Sequence, residues 1–409
     1  MKGLNLLLLL CLSSSVTLVA DENNTTLESF LSEYKNKQFE YEYKKSEAES
    51  AKLRDSWIAP LRLNYTYSKS NPYATEQLNE SAAIRMDQPI FQSGGIYYGI
   101  QFANANKRYS NLSIDITKRK MIKDTIALLM QIREISLQIE KQKLTIKNAD
   151  INLLEKKEEY LNGELDSGFL DNAIIQKNSV MQALYDMQTK REKLINNFSA
   201  LSDLNYKNLS LPYFEMISKS DFLEHNLYIK ESDYAVEKNR YAKDARVAKY
   251  LPKVNLTAGY NWQKSSHQQF SPTSPSFSTE RDYYDYGFRV SIPIDINTFR
   301  DIESAKVDFF KSKVMQKDRK RALSLLYDQV INNIKNFDKK IALSRENGKL
   351  YQKLLDDTQK LYVSGYKTKY DVQILTNSLA MQKIDTKIYK IEKQLELLNL
   401  YEMYRKGDK

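Results

Sequence analysis

The chain has 409 residues, of which 11 are Gly and 8 Pro, a breaker content well under half the roughly 12% that is usual. So few breakers exclude the many-turned sandwiches, propellers and Rossmann folds and leave room for a few long elements. Lys and Arg number 62 against 52 Asp and Glu, a net charge of +10. The signs are interleaved, as in Lys44–Lys52, which is the pattern of solvated helix faces and not of a nucleic-acid stripe.

The first element is a targeting segment. Lys2 precedes an apolar run, Leu4–Leu12 broken only by Asn5, then Ser13–Ser15 and Val19-Ala20 before Asp21. A basic start, a short apolar stretch and a small residue at the cut predict a secretory signal peptide over 1–20. The single cysteine, Cys11, falls inside it, and Leu10 stands where a lipidation site wants a small residue. Beyond it, no disulfide framework and no thiol chemistry are expected. No later stretch reaches the length of a transmembrane helix.

The rest reads as one plan used twice, residues 21–203 and 219–405, joined by a linker over 204–218 and followed by a short tail at 406–409. Leu27–Trp57 and Asp221–Tyr250 lack Gly and Pro and carry helical charge patterns, and Pro60 and Pro252 stop them. Alternation follows. Leu61, Leu63, Tyr65 and Tyr67 oppose Arg62, Asn64 and Thr66; Val254, Leu256, Ala258 and Tyr260 oppose Asn255 and Thr257; Phe288, Val290 and Ile292 oppose Arg289 and Ser291. Such period-two stretches predict strands with one wet face. Gln263–Arg281, rich in Ser and Pro, reads as the loop between two of them.

Phe102–Leu161 and Phe299–Val363 then predict helices of unusual length, with apolar residues stepping by four and three, as at Val330, Ile334, Phe337 and Ile341. At ~1.5 Å per residue each runs on the order of 90–100 Å. Ser167-Gly168-Phe169 and Ser364-Gly365-Tyr366 read as matching turns. Asp171–Asn196 and Lys369–Tyr404 return as partner helices.

Catalytic chemistry is missing from the pattern. His225 and His267 have no evident partners, and no metalloprotease, nucleophile-elbow, phosphate-loop or dinucleotide motif is present. The expectation is no enzyme, no cofactor and no metal. An exported chain with short amphipathic strands and very long helices instead suits a membrane pore with a periplasmic stalk. Four strands cannot close a barrel, whereas three chains giving twelve can.

At these residues the sequence resembles the TolC-like outer-membrane efflux protein family. The resemblance rests on the doubled plan, on Leu251-Pro252-Lys253-Val254-Asn255-Leu256, on Ile292-Pro293-Ile294, and on Tyr362–Leu379 with Gly365 and Asp371-Val372. It implies a mainly α fold with a membrane β-barrel contribution: long antiparallel coiled-coil helices plus four strands per chain, closing a twelve-stranded barrel as a homotrimer in outer-membrane lipid. The implied partners are an inner-membrane transporter and a periplasmic adaptor docking at the helical tip near Gly168 and Gly365. It also implies a periplasmic gate around Tyr362, Lys367 and Asp371. Asp171 is a candidate partner for Lys367, because Ile174 stands where the family often has an acid. Arg62, Asn64, Asn255, Thr257 and Arg289 would line the lumen, with Gln263–Arg281 outside the cell. Helix-start chemistry is the other reading of Asp371. A periplasmic adaptor and a secreted coiled-coil protein are the alternatives; the first wants Gly-rich β-domains, and the second leaves the Tyr-rich strands unexplained.

Overall fold

The computed structural model describes residues 27–71, 76–267 and 277–405. The expected signal peptide, Cys11, the tip of the Ser/Pro loop and the tail lie outside the described residues. In chain order a 3-10 turn (Leu27–Phe30) precedes α1 (Glu33–Arg54), β1 (Arg62–Ser70), β2 (Gln77–Phe91), α2 (Gly95–Leu161) and α3 (Ser167–Leu201). The second half carries α4 (Lys219–Glu224), α5 (Leu227–Lys249), β3 (Lys253–His267), β4 (Phe277–Ser291), α6 (Thr298–Val363) and α7 (Lys369–Met403).

The four strands form one antiparallel sheet in the order β1-β2-β3-β4. The two hairpins are therefore neighbours, and β1 and β4 each keep one free edge. The strands are longer than their apolar alternation indicates. Gln263–Arg281 is not all loop: the ladder continues through Gln263↔Arg281, Lys264↔Glu280 and Ser265↔Thr279 to His267↔Phe277. Backbone pairing needs no apolar side chain, and here polar residues stand on both faces. At 15 residues each, β2, β3 and β4 exceed the roughly 9–11 that a tilted strand needs to cross a bilayer.

α2 and α6 have 67 and 66 residues, on the order of 100 Å long. Each is matched by two shorter helices laid end to end, α3 with α1 and α7 with α5. The joints explain two corrections, since Leu27–Trp57 and Asp221–Tyr250 are each interrupted. At the first, the Ser32 N–H donates to Leu201 O at 2.8 Å, at the end of α3, while Ser32 Oγ accepts from Lys35 N and caps α1. At the second, Asn226 Oδ1 accepts from Tyr228 N and Ile229 N to cap α5. Asn226 also bridges to Tyr404, and Arg405 N donates to His225 O. Asn and Ser offer the backbone an alternative partner, and the end of the returning helix completes the break. His225, expected without partners, has Nδ1 3.0 Å from an Asp221 carboxylate oxygen and its ring edge-on to Tyr404.

One core holds both halves together at this level. Phe39, Phe198, Phe222, Leu129, Met130, Ile334 and Leu400 are all 2% exposed or less. The linker belongs to it. Phe214 and Ile217 are buried there, Tyr327 Oη donates to Ile217 O at 2.8 Å, and Arg133 reaches the carbonyls of Lys207 and Leu209. The repeats therefore share one core.

α2 and α7 meet along a seam marked by Lys141–Asp385 at 2.7 Å, Asn377 to Asn148 at 2.7 Å and Tyr370 to Glu158 at 3.1 Å. Higher on it, Glu392 Oε2 is enclosed without a hydrogen-bond partner among the described residues. Burial raises the Glu392 carboxyl, Glu134 and Asp385 add to the rise, and Lys340 opposes it. Burial also raises Glu134, against Lys190 and Gln138. The unfolded chain thus releases these protons first as pH climbs, so stability falls between the ordinary Glu range and the raised one. Glu392→Gln should raise the melting temperature at pH 7 by on the order of 1–2 °C and shrink the gain on acidifying to pH 5, both read by calorimetry.

Candidate functional site: helical tip and polar sheet face

At the far end of the helices two turns are built alike. Gly163 and Gly365 have φ +76° and +78°, a conformation that glycine alone adopts without penalty. Gly163 N donates to Tyr160 O at 3.0 Å and Glu164 N to Glu159 O at 2.9 Å; Gly365 N donates to Tyr362 O and Tyr366 N to Leu361 O at the same distances. Both are Schellman turns, 202 residues apart, the same step as from Leu128 to Val330. The expectation for Gly168 is thereby corrected. Gly168 stands in the first turn of α3, donating to the cap residue Asp166 at 2.7 Å, and Gly163 holds the turn. The Ser-Gly-aromatic match that suggested Gly168 is out of step by five residues, because a turn glycine is recognised by its distance from the helix end and not by its neighbours.

In the second turn Thr368 caps α7. Its N–H and Oγ1–H both donate to Asp371 Oδ2 at 3.0 Å, and Asp371 N donates back to Thr368 Oγ1 at 3.1 Å, a capping box. The Thr368 N–H, followed by its hydroxyl and then Lys367, holds the Asp371 carboxyl below the usual range. Lys367 Nζ lies 3.4 Å from Asp371 Oδ1. Asp171 was the expected partner of Lys367; it is exposed and forms no ion pair among the described residues. Counting by the turn step, the first-repeat equivalent of Asp371 is Phe169, so only the second repeat supplies a carboxylate here. Tyr362 is 46% exposed, and at the two turns Leu161, Phe169, Val363 and Tyr366 are exposed as well.

At the other end, pairing register sorts the sheet into two faces. Leu63, Ile84, Tyr260 and Tyr284 form one row, and Leu256, Phe288, Tyr286 and Val290 continue that face. Phe288 is 73% and Tyr286 79% exposed. Near the loops Tyr65 donates to Glu80, Tyr260 to Asp282 and Trp262 to Glu280, giving amphipathic rings a wet end. Arg62, Asn64, Asn255, Thr257 and Arg289 all fall on the opposite face. There the structure adds Arg85, Asp87, Asn261 and Asp285, which sequence reading did not single out. Arg85 Nη2 donates to Asn261 Oδ1 at 3.0 Å and Asn261 Nδ2 to Asp285 Oδ1 at 2.7 Å, while Asp87 accepts from Asn255 Nδ2 at 2.7 Å and Arg289 Nη1 at 2.9 Å. Stepping by two from Arg289 would have found Asp285.

A face of Leu, Phe and Tyr backed by a face of Arg, Asp and Asn is a wall between lipid and water, and no described helix is long and apolar enough to cross a membrane. Residues 219–403 match the family model of outer membrane efflux proteins. The chain is similar in fold to VceC, an outer membrane protein of Vibrio cholerae, with 13% identity, a TM-score of 0.70, and 92% of this chain and 95% of that one covered. It is similar also to the CmeC outer membrane channel of Campylobacter jejuni (12%, TM-score 0.69, 93% and 86% covered). The open MtrE outer membrane channel of Neisseria gonorrhoeae gives 11%, 0.63, 90% and 85%. No curated protein matches the chain by sequence. Sheet, helices and family model together define the class as an outer-membrane efflux channel with a periplasmic helical tunnel. Over residues 219–403 the chain carries the outer membrane efflux protein domain, in keeping with its resemblance to the TolC-like proteins, a family of passive channels and not of enzymes.

Proposed function

We propose that three copies of this chain form a passive duct whose barrel contains twelve strands, working with an inner-membrane transporter and a periplasmic adaptor. The carrying observation is the sheet itself: four strands, two free edges, one apolar and one polar face. Free edges in lipid leave backbone groups unpaired, and pairing β4 of one copy with β1 of the next removes every edge. Arg62, Asn64, Asn255, Thr257 and Arg289 then line the lumen. The adaptor docks on the exposed apolar side chains at the tip, among them Phe169, Val363 and Tyr366.

Three-fold symmetry makes of Asp371 a ring of three carboxylates at the tunnel mouth. The capping box fixes where each one points, so helix-start chemistry and gate are compatible roles for one residue. Like charges held in a narrow pore favour cations. In planar bilayers Asp371→Asn should lower cation preference and weaken block by multivalent cations roughly tenfold, about 1.4 kcal/mol of binding. Lys367→Ser with Tyr362→Phe should raise resting conductance. If conductance, selectivity and block all stay as in the wild type, Asp371 is a helix cap only and the gate lies elsewhere.

A further inference from the structure

The polar sheet face has a charge imbalance that the gate does not explain. By register this face carries Arg62, Arg85, Lys253, Arg281 and Arg289. Against these five cations it carries only Asp87 and Asp285, leaving +3 per chain among the described strand residues. Both acids are already engaged. Asp87 is held by Asn255 and Arg289, and Asp285 is held by Asn261, itself 3% exposed. Gly259 makes room for it: a Cβ there would come within 2.8 Å of Asp285 Oδ1. Arg62, Lys253 and Arg281 have no acidic partner among the described residues.

The outward face does not offset this inside the pore, because its acids, Glu80, Glu280 and Asp282, point to the lipid side and bond Tyr65, Trp262 and Tyr260. Pairing between copies can redistribute the lumen charges but cannot cancel them, since every copy contributes the same surplus. Low-dielectric walls concentrate such a field, and rings of Arg and Lys are the means by which pores select anions. Resting on the duct reading above, we infer that the barrel lumen is a second selectivity element, positive where the tip is negative, and that it favours anionic cargo at the exit.

The test uses full-length trimers in planar bilayers, with reversal potentials measured across a KCl gradient averaging 0.1 M. Wild-type channels contain both elements in series. Asp371→Asn removes the negative one, and the reversal potential should then change sign, to chloride preference. In that background Arg62→Gln and Arg281→Gln, which break no ion pair among the described residues, should each cut the chloride-to-potassium permeability ratio about twofold. Arg62→Lys should leave it unchanged. Raising the salt to 1 M, where the screening length is ~3 Å, should erase the differences. Channels that stay cation-selective after Asp371→Asn, or that ignore both glutamine substitutions, overturn the inference while leaving the duct standing. If wild-type protein forms no channel, the duct reading falls and takes this inference with it.

Discussion

Phe288→Arg should abolish membrane insertion of the proposed three-copy assembly. Phe288 is 73% exposed in the single chain, in a stretch of the face that also presents Leu256 and Tyr286, and the nearest acid on its own strand and face, Asp282, lies six residues away toward the loop. An Arg on the lipid face near the bilayer midplane costs about 2–4 kcal/mol, and symmetry places one in each copy, so the assembly loses roughly three times that. The helices gain nothing in exchange. The measurement is heat-modifiable migration of the outer-membrane fraction: the trimer band should vanish while helical circular dichroism persists. Arg289→Phe is the matched control. It puts an aromatic on the watery face, leaves Asp87 its bond from Asn255 Nδ2, and should insert normally with altered selectivity. Normal insertion of Phe288→Arg would mean that the two faces have been assigned in reverse.

Much of this was legible from residue order alone because the decisive patterns are local. Alternation around Arg62 and Arg289 separates the apolar from the polar positions of the sheet with no knowledge of pairing, and the scarcity of Gly and Pro leaves α2 and α6 uninterrupted. The lost details depend on partners far along the chain. Beside His225 only Asn226, a residue suited to a helix cap, hints at a break; the break is completed because Arg405 N reaches His225 O and Asn226 bridges to Tyr404. The polar ends of β3 and β4 look like a loop because their pairing is carried by the backbone. Gly168 shares its neighbours with Gly365, whereas the turn falls at Gly163, which only its distance from the helix end marks. Lys367 met Asp371 and not Asp171 because the capping box already holds that carboxylate one turn away.

The second large effect lies in the shared core. Phe222 is fully buried in α4, its ring 5.6 Å from that of Tyr327. Tyr327 in turn donates to Ile217 O in the segment between the repeats. That one site joins the linker and α4 to α6, and α4 is only six residues long, too short to persist unless packed. Phe222→Ala should cost about 3–5 kcal/mol, because the cavity is lined by side chains of several elements that cannot all move in. Tyr327→Phe keeps the ring and leaves a buried carbonyl without its donor, for about 1–3 kcal/mol. The two losses should not add, since the residues touch. Limited proteolysis should show the difference from the sheet variant: Phe222→Ala exposes the 204–218 segment to cleavage while the barrel still inserts, so that the product is two fragments that remain together in the membrane until heated. Cleavage confined to the tip turns at Gly163 and Gly365 would instead show that the linker is held independently of Phe222.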